Sequence, residues 1–119
     1  MPVAEETLSC SHDDAPVTVQ LPTAATLETA AAMLSAAGDE ARLKLLVRLA
    51  DGRRCVSELA EAEGDKLATV SARLKLLHTA RLVTRTREAK HVYYALADDH
   101  VANLVRDILD HASEDTANI

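Results

Sequence analysis

Residues 57–80, SELAEAEGDKLATVSARLKLLHTA, decide the fold of this chain. A short helix predicted over residues 57–63 stops at Gly64. A longer helix predicted over residues 66–80 follows, and Asp65 is its expected N-cap. The longer helix carries one apolar stripe at helical spacing, formed by Leu67, Val70, Leu74 and Leu77. Two helices joined by a tight glycine turn are typical of a helix-turn-helix.

A predicted β-hairpin comes next in the chain. Residues 82–86 and 91–95 are β-prone runs, and residues 87–90 form a charged turn between them. A hairpin placed after a helix pair is a wing, and its tip would carry basic side chains to a phosphate backbone or a minor groove. The expected fold is therefore mainly α with a small β-hairpin, a winged helix-turn-helix.

The charge of the chain is strongly segregated. The net charge is −6, yet residues 66–90 hold seven bases against the single acid Glu88, a local charge of +6. A phosphate backbone responds to that local charge, which favours double-stranded DNA as the partner. The longer helix presents small side chains beside basic ones, as a helix that enters a major groove requires. The predicted DNA-binding residues are Lys66, Ala68, Thr69, Ser71, Ala72, Arg73, Lys75, Arg85, Arg87 and Lys90.

The chain before this unit divides into an arm and two helices. Residues 1–22 contain all three prolines and no hydrophobic period, and we interpret them as a flexible N-terminal arm. Residues 23–119 are expected to form one winged-helix domain. Its first helix is predicted over residues 26–36, with Leu27, Ala30, Ala31 and Leu34 as its apolar side chains. Its second is predicted over residues 40–49, capped by Asp39, with Leu43, Leu46, Val47 and Ala50 inward.

A last helix, residues 101–110, carries metal-ligating residue types at both ends. Asp98 and His100 stand at its start, and His111 and Glu114 at its end. The histidines are eleven residues apart, so they share a face and are separated by about 16 Å along the axis. Zinc takes its ligands at about 2 Å, so one helix cannot bring both histidines to one metal.

Two antiparallel copies of this helix can do so. Crossing about a two-fold axis near Val105, they set His100 of one chain against His111 of the other, twice. Each site would then hold Asp98 and His100 from one protomer and His111 and Glu114 from its partner, a plausible tetrahedral Zn(II) set that also tolerates Co(II). The alternative is an amphipathic helix with two solvent-exposed histidines. Asp107 falls near the same stripe, as a ligand or as a partner of one.

Several classes of protein are disfavoured by composition. The only aromatic residues are Tyr93 and Tyr94, too few for a single-stranded nucleic-acid platform. The acidic and polar opening residues predict no secretory signal peptide, and no membrane span or phosphate-binding loop is expected from the sequence. Two cysteines in such a chain suggest reduced thiols in a cytoplasm. A zinc hydrolase would need an open coordination position, and no H-E-x-x-H motif occurs. A winged-helix regulator that ignores metal, dimerised through its last helix, is the remaining alternative.

The chain resembles the ArsR/SmtB family of winged-helix metal-sensing repressors over roughly residues 25–115. The resemblance is carried by residues 38–46, 55–60, 69–77 and 91–96 and by the last helix. Asp98, His100, His111 and Glu114 match the four ligands of the family's interfacial zinc site. The resemblance implies a non-enzymatic homodimer that binds an operator when metal-free, releases it when metal binds, and controls metal efflux or sequestration genes.

The same resemblance implies a second metal site. Cys55 and Glu58 match a cysteine and an acid that pair with ligands from the partner's N-terminal arm, where this chain offers Cys10 and His12. Two thiolates and a histidine would suit Cd(II), Pb(II) or Cu(I), or zinc again. The alternatives are that Cys55 is a small core residue and that Cys10 is incidental.

Overall fold

The computed structural model describes residues 18–114 as five helices and a three-stranded sheet. Residues 18–23 have no regular secondary structure, and the rest of the predicted arm lies outside the described residues. The elements in chain order are α1 (Ala24–Ala37), α2 (Glu40–Arg48), β1 (Arg54–Cys55), α3 (Val56–Glu63), α4 (Leu67–Thr79), β2 (Val83–Glu88), β3 (His91–Leu96) and α5 (Asp99–Ala112). The winged helix-turn-helix predicted from the sequence is confirmed.

The turn between α3 and α4 depends on Gly64. This residue has a left-handed φ of 69°, which glycine adopts without the strain a β-carbon brings. The amide of Asp65 then donates to the carbonyl of Ala60 at 3.1 Å, which closes the C-terminus of α3. The prediction that Asp65 caps α4 is wrong. Lys66 is the N-cap, and the Asp65 carboxylate instead accepts a hydrogen bond from Arg73 at 2.8 Å.

The wing is the hairpin of β2 and β3, and it belongs to a sheet with the order β1-β3-β2. β1 has only two residues, and it pairs antiparallel with β3 through Arg54 opposite Tyr94 and Cys55 opposite Tyr93. The sequence prediction lacked this third strand. The pairing joins the start of α3 directly to the wing.

The core lies between α2, α3, α4 and the sheet, with the first half of α5 packed on it. Its largest members are Tyr94, Leu45, Leu46, Leu49, Leu59, Leu74, Leu77 and Val70. The predicted inward face of α2 is partly wrong, because Val47 and Ala50 are exposed and Leu45 and Leu49 are buried instead. Leu67, the first member of the predicted α4 stripe, is also exposed, because it is the first residue of its helix and lies beyond the core.

Most of α1 projects outside this core. Ala36 is its one buried residue, whereas Leu27 and Leu34 are exposed in the protomer. The apolar stripe predicted for α1 therefore faces away from its own core. No helix within residues 18–114 is long and apolar enough to cross a membrane.

Candidate metal centre and nucleic-acid interface

The N-terminus of α5 places the first pair of candidate ligands. Asp98 is the N-cap, and its Oδ1 accepts the Val101 N–H at 3.1 Å, as a capping carboxylate does. Its other oxygen, Oδ2, lies 3.7 Å from His100 Nδ1. One carboxylate thus fixes the start of the helix and lies beside the first candidate histidine.

The C-terminus of α5 places the second pair. His111 Nδ1 lies 3.7 Å from Glu114 Oε1, and the two side chains share one face at helical spacing. The side chains of His100 and His111 are 97% and 77% exposed. Within residues 18–114 of a single protomer, no three candidate ligands meet around one point. The protomer therefore presents two open half-sites.

An apolar strip lies between these half-sites. Val101 and Val105 pack on the core, whereas Leu104 and Ile108 are 42% and 51% exposed. At about 100° per residue, Leu104 and Ile108 fall between the core face and the histidine face. Asp107 is exposed and falls close to the histidine face. We call the exposed Leu104 and Ile108 the outer apolar face of α5.

The chemistry of the half-sites fits zinc. Each offers one imidazole nitrogen and one carboxylate, and both sets are accessible from solvent. Two such half-sites provide two nitrogen and two oxygen donors, which is a common zinc set. The same borderline-to-hard donors also accept Co(II).

The predicted second site is described only in part, since Cys10 and His12 lie outside the described residues. Cys55 is buried and is the N-cap of α3. Its backbone N–H donates to Glu58 Oε1 at 3.0 Å, and its Sγ lies 3.2 Å from Ser57 Oγ. The backbone hydrogen bond from Cys55, and then its side chain, hold the pKa of Glu58 below its ordinary value. Cys55 and Glu58 are thus brought together, with the Glu58 carboxylate already engaged by the helix cap.

Some of the predicted DNA-binding residues line a groove between α4 and the wing. Ser71 and Lys75 line it from α4, and Arg85 and Lys90 line it from the hairpin. Ala68 and Ala72 are exposed on the outward face of α4, as predicted. A convex helix beside a basic hairpin is the shape that enters a major groove while the hairpin contacts the backbone.

Three predicted DNA contacts lie away from that groove. Lys66 and Thr69 are exposed at the start of α4 and do not line the groove. Arg73 is paired with Asp65, and its side chain is only 28% exposed. The guanidinium of Arg73 therefore fastens α4 to the turn that precedes it.

The wing separates its charges across the pleat. Side chains alternate along a strand, so Arg85 and Arg87 share one face with the buried Val83, and Glu88 lies on the other. Glu88 accepts two hydrogen bonds from Arg53, at 2.9 and 3.0 Å. Sequence reasoning missed Arg53. The available signal was Glu88 itself, because a lone acid in a basic stretch suggests a partner within the fold.

Comparisons with known proteins agree with this architecture. Residues 39–85 match the model of the bacterial regulatory protein arsR family. The chain is 43% identical over 84 residues to a transcriptional repressor SmtB homolog from Synechocystis, across 71% of this chain and 64% of that protein. It is 35% identical over 82 residues to the transcriptional regulator NmtR from Mycobacterium tuberculosis, across 69% of this chain and 68% of that protein.

A solved structure gives the same result for the fold. It is the homodimeric winged helix-turn-helix DNA-binding domain of a possible ArsR-family transcriptional regulator from Mycobacterium bovis. The two chains superpose with a TM-score of 0.75 at 34% identity, over 85% of this chain and 94% of the other. The matched family, the helix-turn-helix and the basic wing lead to one conclusion: the chain belongs to the ArsR family of bacterial regulatory proteins.

Proposed function

We propose that the chain is a cytoplasmic, metal-responsive transcriptional repressor that acts as a homodimer. It binds an operator in double-stranded DNA when metal-free and dissociates when Zn(II) or a related ion binds. The observation that carries the proposal is the arrangement on α5, where two exposed half-sites, Asp98 with His100 and His111 with Glu114, flank an exposed apolar strip.

The outer apolar face supports a homodimer. Leu104 and Ile108 are 42% and 51% exposed in the protomer, so burying the rest of each side chain against a second copy contributes about 1 kcal/mol. An antiparallel crossing of two α5 helices on this face brings the half-sites of the two protomers together in pairs. The two metal sites and the dimer contact are then one surface.

The residues of α5 account for the response. Without metal, the carboxylates of Asp98 and Glu114 from the two protomers repel each other across the crossing. The four nitrogen and oxygen donors of the two half-sites would together hold one zinc ion, and zinc held in this way would cross-link the two protomers. The first half of α5 packs through Val101 and Val105 on the core that supports α4. A change in the crossing is thereby transmitted to the spacing of the two α4 helices.

That spacing controls DNA affinity. Two recognition helices must reach half-sites about one DNA turn apart, so a small change in dimer geometry weakens both contacts together. A coupling of about 1–3 kcal/mol between the metal and DNA sites corresponds to a 5–150-fold loss of operator affinity.

The test is a zinc titration of a protein–operator complex. The wild-type dimer should bind two zinc ions at the α5 sites, and operator affinity should fall by the factor given above. His111→Ala should bind DNA normally and show no release. The matched control is His78→Ala, a solvent-exposed histidine on α4 outside both half-sites. Full zinc binding and normal release by His111→Ala would refute the proposal.

A second regulatory site at Cys55 is the alternative that the fold supports best. β1 pairs Cys55 with Tyr93 of the wing, so a ligand on Cys55 would act directly on a DNA-binding element. Thiolates from Cys10 and Cys55 would favour Cd(II), Pb(II) or Cu(I) and give intense ultraviolet charge-transfer absorption. Serine at both cysteines should abolish that absorption and leave zinc-driven release intact. Loss of the zinc response in the double-serine protein would make the cysteine site the regulatory one.

The expectation of a non-enzymatic protein is confirmed by the family, whose members are bacterial regulatory proteins. The metal-independent regulator is the remaining alternative. It predicts a dimer whose operator affinity is the same with zinc and with a chelator.

A further inference from the structure

Arg53 is held between two residues of the wing. Its Nη1 and Nη2 donate to Glu88 Oε2 and Oε1 at 2.9 and 3.0 Å, a bidentate pair. Its Cζ lies 4.1 Å from the centroid of the Tyr93 ring, within the range of a cation–π contact. We call Arg53, Glu88 and Tyr93 the wing clamp.

The wing clamp joins the tip of the wing to the body of the domain. Arg53 precedes β1 in the loop that follows α2, whereas Glu88 is the last residue of β2. Thr86 lies opposite Tyr93 in the β2–β3 register, so Tyr93 and Glu88 share a face of the hairpin. This is the face opposite Arg85 and Arg87. The wing clamp therefore contacts the wing on the face opposite its basic side chains.

Within residues 18–114, strand pairing gives the outer half of the wing little further support. β1 contacts β3 through only two residue pairs, the outer of which is at Tyr93, and beyond it β2 and β3 pair only with each other. At the tip, Ala89 has a left-handed φ of 55°, which non-glycine residues keep where surrounding contacts impose it. Ala89 and Lys90 form a two-residue hairpin loop between the paired Glu88 and His91, and such a loop requires a positive φ at its first residue.

Glu88 is also the only acid in the basic stretch of residues 66–90. Unpaired, its charge would repel the phosphates that Arg85 and Arg87 are proposed to meet. The pair with Arg53 neutralises this charge within the protein. Two N–H groups of Arg53 are bonded to Glu88, and its flat face lies against Tyr93, so the guanidinium is directed toward the wing and away from a phosphate.

We propose that Arg53 is a positioning residue for DNA binding, which fixes the wing through Glu88 and Tyr93 so that Arg85 and Arg87 reach the DNA backbone. The proposal rests on the proposed DNA-binding function. A positioning role and a direct phosphate contact of Arg53 predict opposite effects of removing the charge of Glu88. If Arg53 met a phosphate itself, removing the charge of Glu88 would free Arg53 and tighten binding. If Arg53 positions the wing, removing that charge releases the clamp and weakens binding, although the protein becomes more positive.

The experiment compares variants of the full chain in a chelator, on a labelled duplex selected by the wild-type protein from a random-sequence pool. Arg53→Gln and Glu88→Gln should each lower affinity about three- to tenfold, the range expected for an exposed bidentate pair with a cation–π contact. Both should flatten the salt dependence, since contacts of Arg85 and Arg87 are lost. The charge swap, Arg53→Glu with Glu88→Arg, should recover most of the affinity. Thermal unfolding confirms that each variant is folded at the assay temperature.

The matched control is Arg54→Gln, which removes the same charge one residue away. Arg54 makes an exposed pair with Asp51 at 3.0 Å and does not touch the wing tip. Glu88→Gln binding as tightly as wild type or more tightly, or Arg53→Gln matching Arg54→Gln, would overturn the inference while leaving the proposed function standing. A wild-type chain that selects no duplex would overturn both.

Discussion

Asp98 Oδ2 lies 3.7 Å from His100 Nδ1, while Oδ1 of the same carboxylate accepts the Val101 N–H at 3.1 Å. One side chain thus starts α5 and offers an oxygen beside the first candidate ligand. Because the cap starts α5 before His100, both histidines lie in one continuous helix, whose rise sets the distance between them.

The two roles of Asp98 can be separated by substitution. Asp98→Asn keeps an oxygen that can accept the Val101 N–H, so the free energy of unfolding should change little, whereas zinc affinity should fall because the carboxylate is lost. Asp98→Ala should lower both, with about 1 kcal/mol lost from stability. Urea unfolding and zinc titration of the two variants check this. Wild-type zinc affinity in Asp98→Asn would limit Asp98 to its capping role.

The groove between α4 and the wing, with its basic side chains, makes a prediction about the salt dependence of DNA binding. Neutralising Lys75, Arg85 or Arg87 should weaken binding to all sequences and flatten the slope of log K against log salt by about 0.9 per lost phosphate contact. Arg73→Gln should flatten it less, because Arg73 is paired with Asp65. Ser71→Ala should instead reduce discrimination between the operator and random duplex. Fluorescence anisotropy at several salt concentrations measures all five variants. Unchanged slopes at Lys75, Arg85 and Arg87 would place the DNA surface elsewhere.

The outer apolar face makes a prediction about assembly. Leu104→Glu should dissociate the proposed dimer, because it places a charge where two α5 helices would cross. Arg106→Glu is the control, since Arg106 is exposed on nearly the opposite side of α5. Sedimentation velocity gives the oligomeric state of both. A Leu104→Glu protein that remains dimeric would move the dimer contact off α5.

The wing clamp makes a prediction about pH. The hydrogen bond from Arg53, and then its charge, lower the pKa of Glu88 from its ordinary value of 4.5. A carboxyl with a lowered pKa in the fold stabilises the fold above its ordinary pKa, and this contribution is lost as the pH falls through the lowered value. The stability difference between wild type and Glu88→Gln should therefore shrink as the pH is lowered from neutral to below the ordinary value of 4.5. In an Arg53→Gln background the same comparison should show no such trend, and equal trends in both backgrounds would contradict the clamp.

Local signals in the sequence were sufficient for most of the fold. Gly64 ends α3 as predicted, Asp39 and Asp98 cap their helices through their side chains, and the two β-prone runs form the hairpin. These features depend on residues within a few positions of each other. The Asp98–His100 and His111–Glu114 pairs are equally local, which is why spacing alone predicted them.

The errors arise where distant parts of the chain decide the outcome. β1 is two residues long and exists only because β3 is beside it, so no local period could reveal it. Arg53 and Glu88 are 35 residues apart. Asp65 was predicted to cap α4, but its carboxylate pairs instead with Arg73 in the middle of that helix. The spacing of apolar residues predicts the apolar stripe of α1. The same spacing does not show whether the core of the protomer or a second chain covers that stripe.

The most direct test of the shared metal sites is a mixed dimer. One variant carries Asp98→Ala and His100→Ala, and the other carries His111→Ala and Glu114→Ala, so each homodimer should bind no zinc at α5. Mixing the two should restore one complete site per mixed dimer, built from the intact start of one α5 and the intact end of the other. We predict about one zinc per mixed dimer by titration, with partial recovery of operator release. Zinc binding that stays absent after the protomers demonstrably exchange, or that is present in either homodimer, would contradict the account.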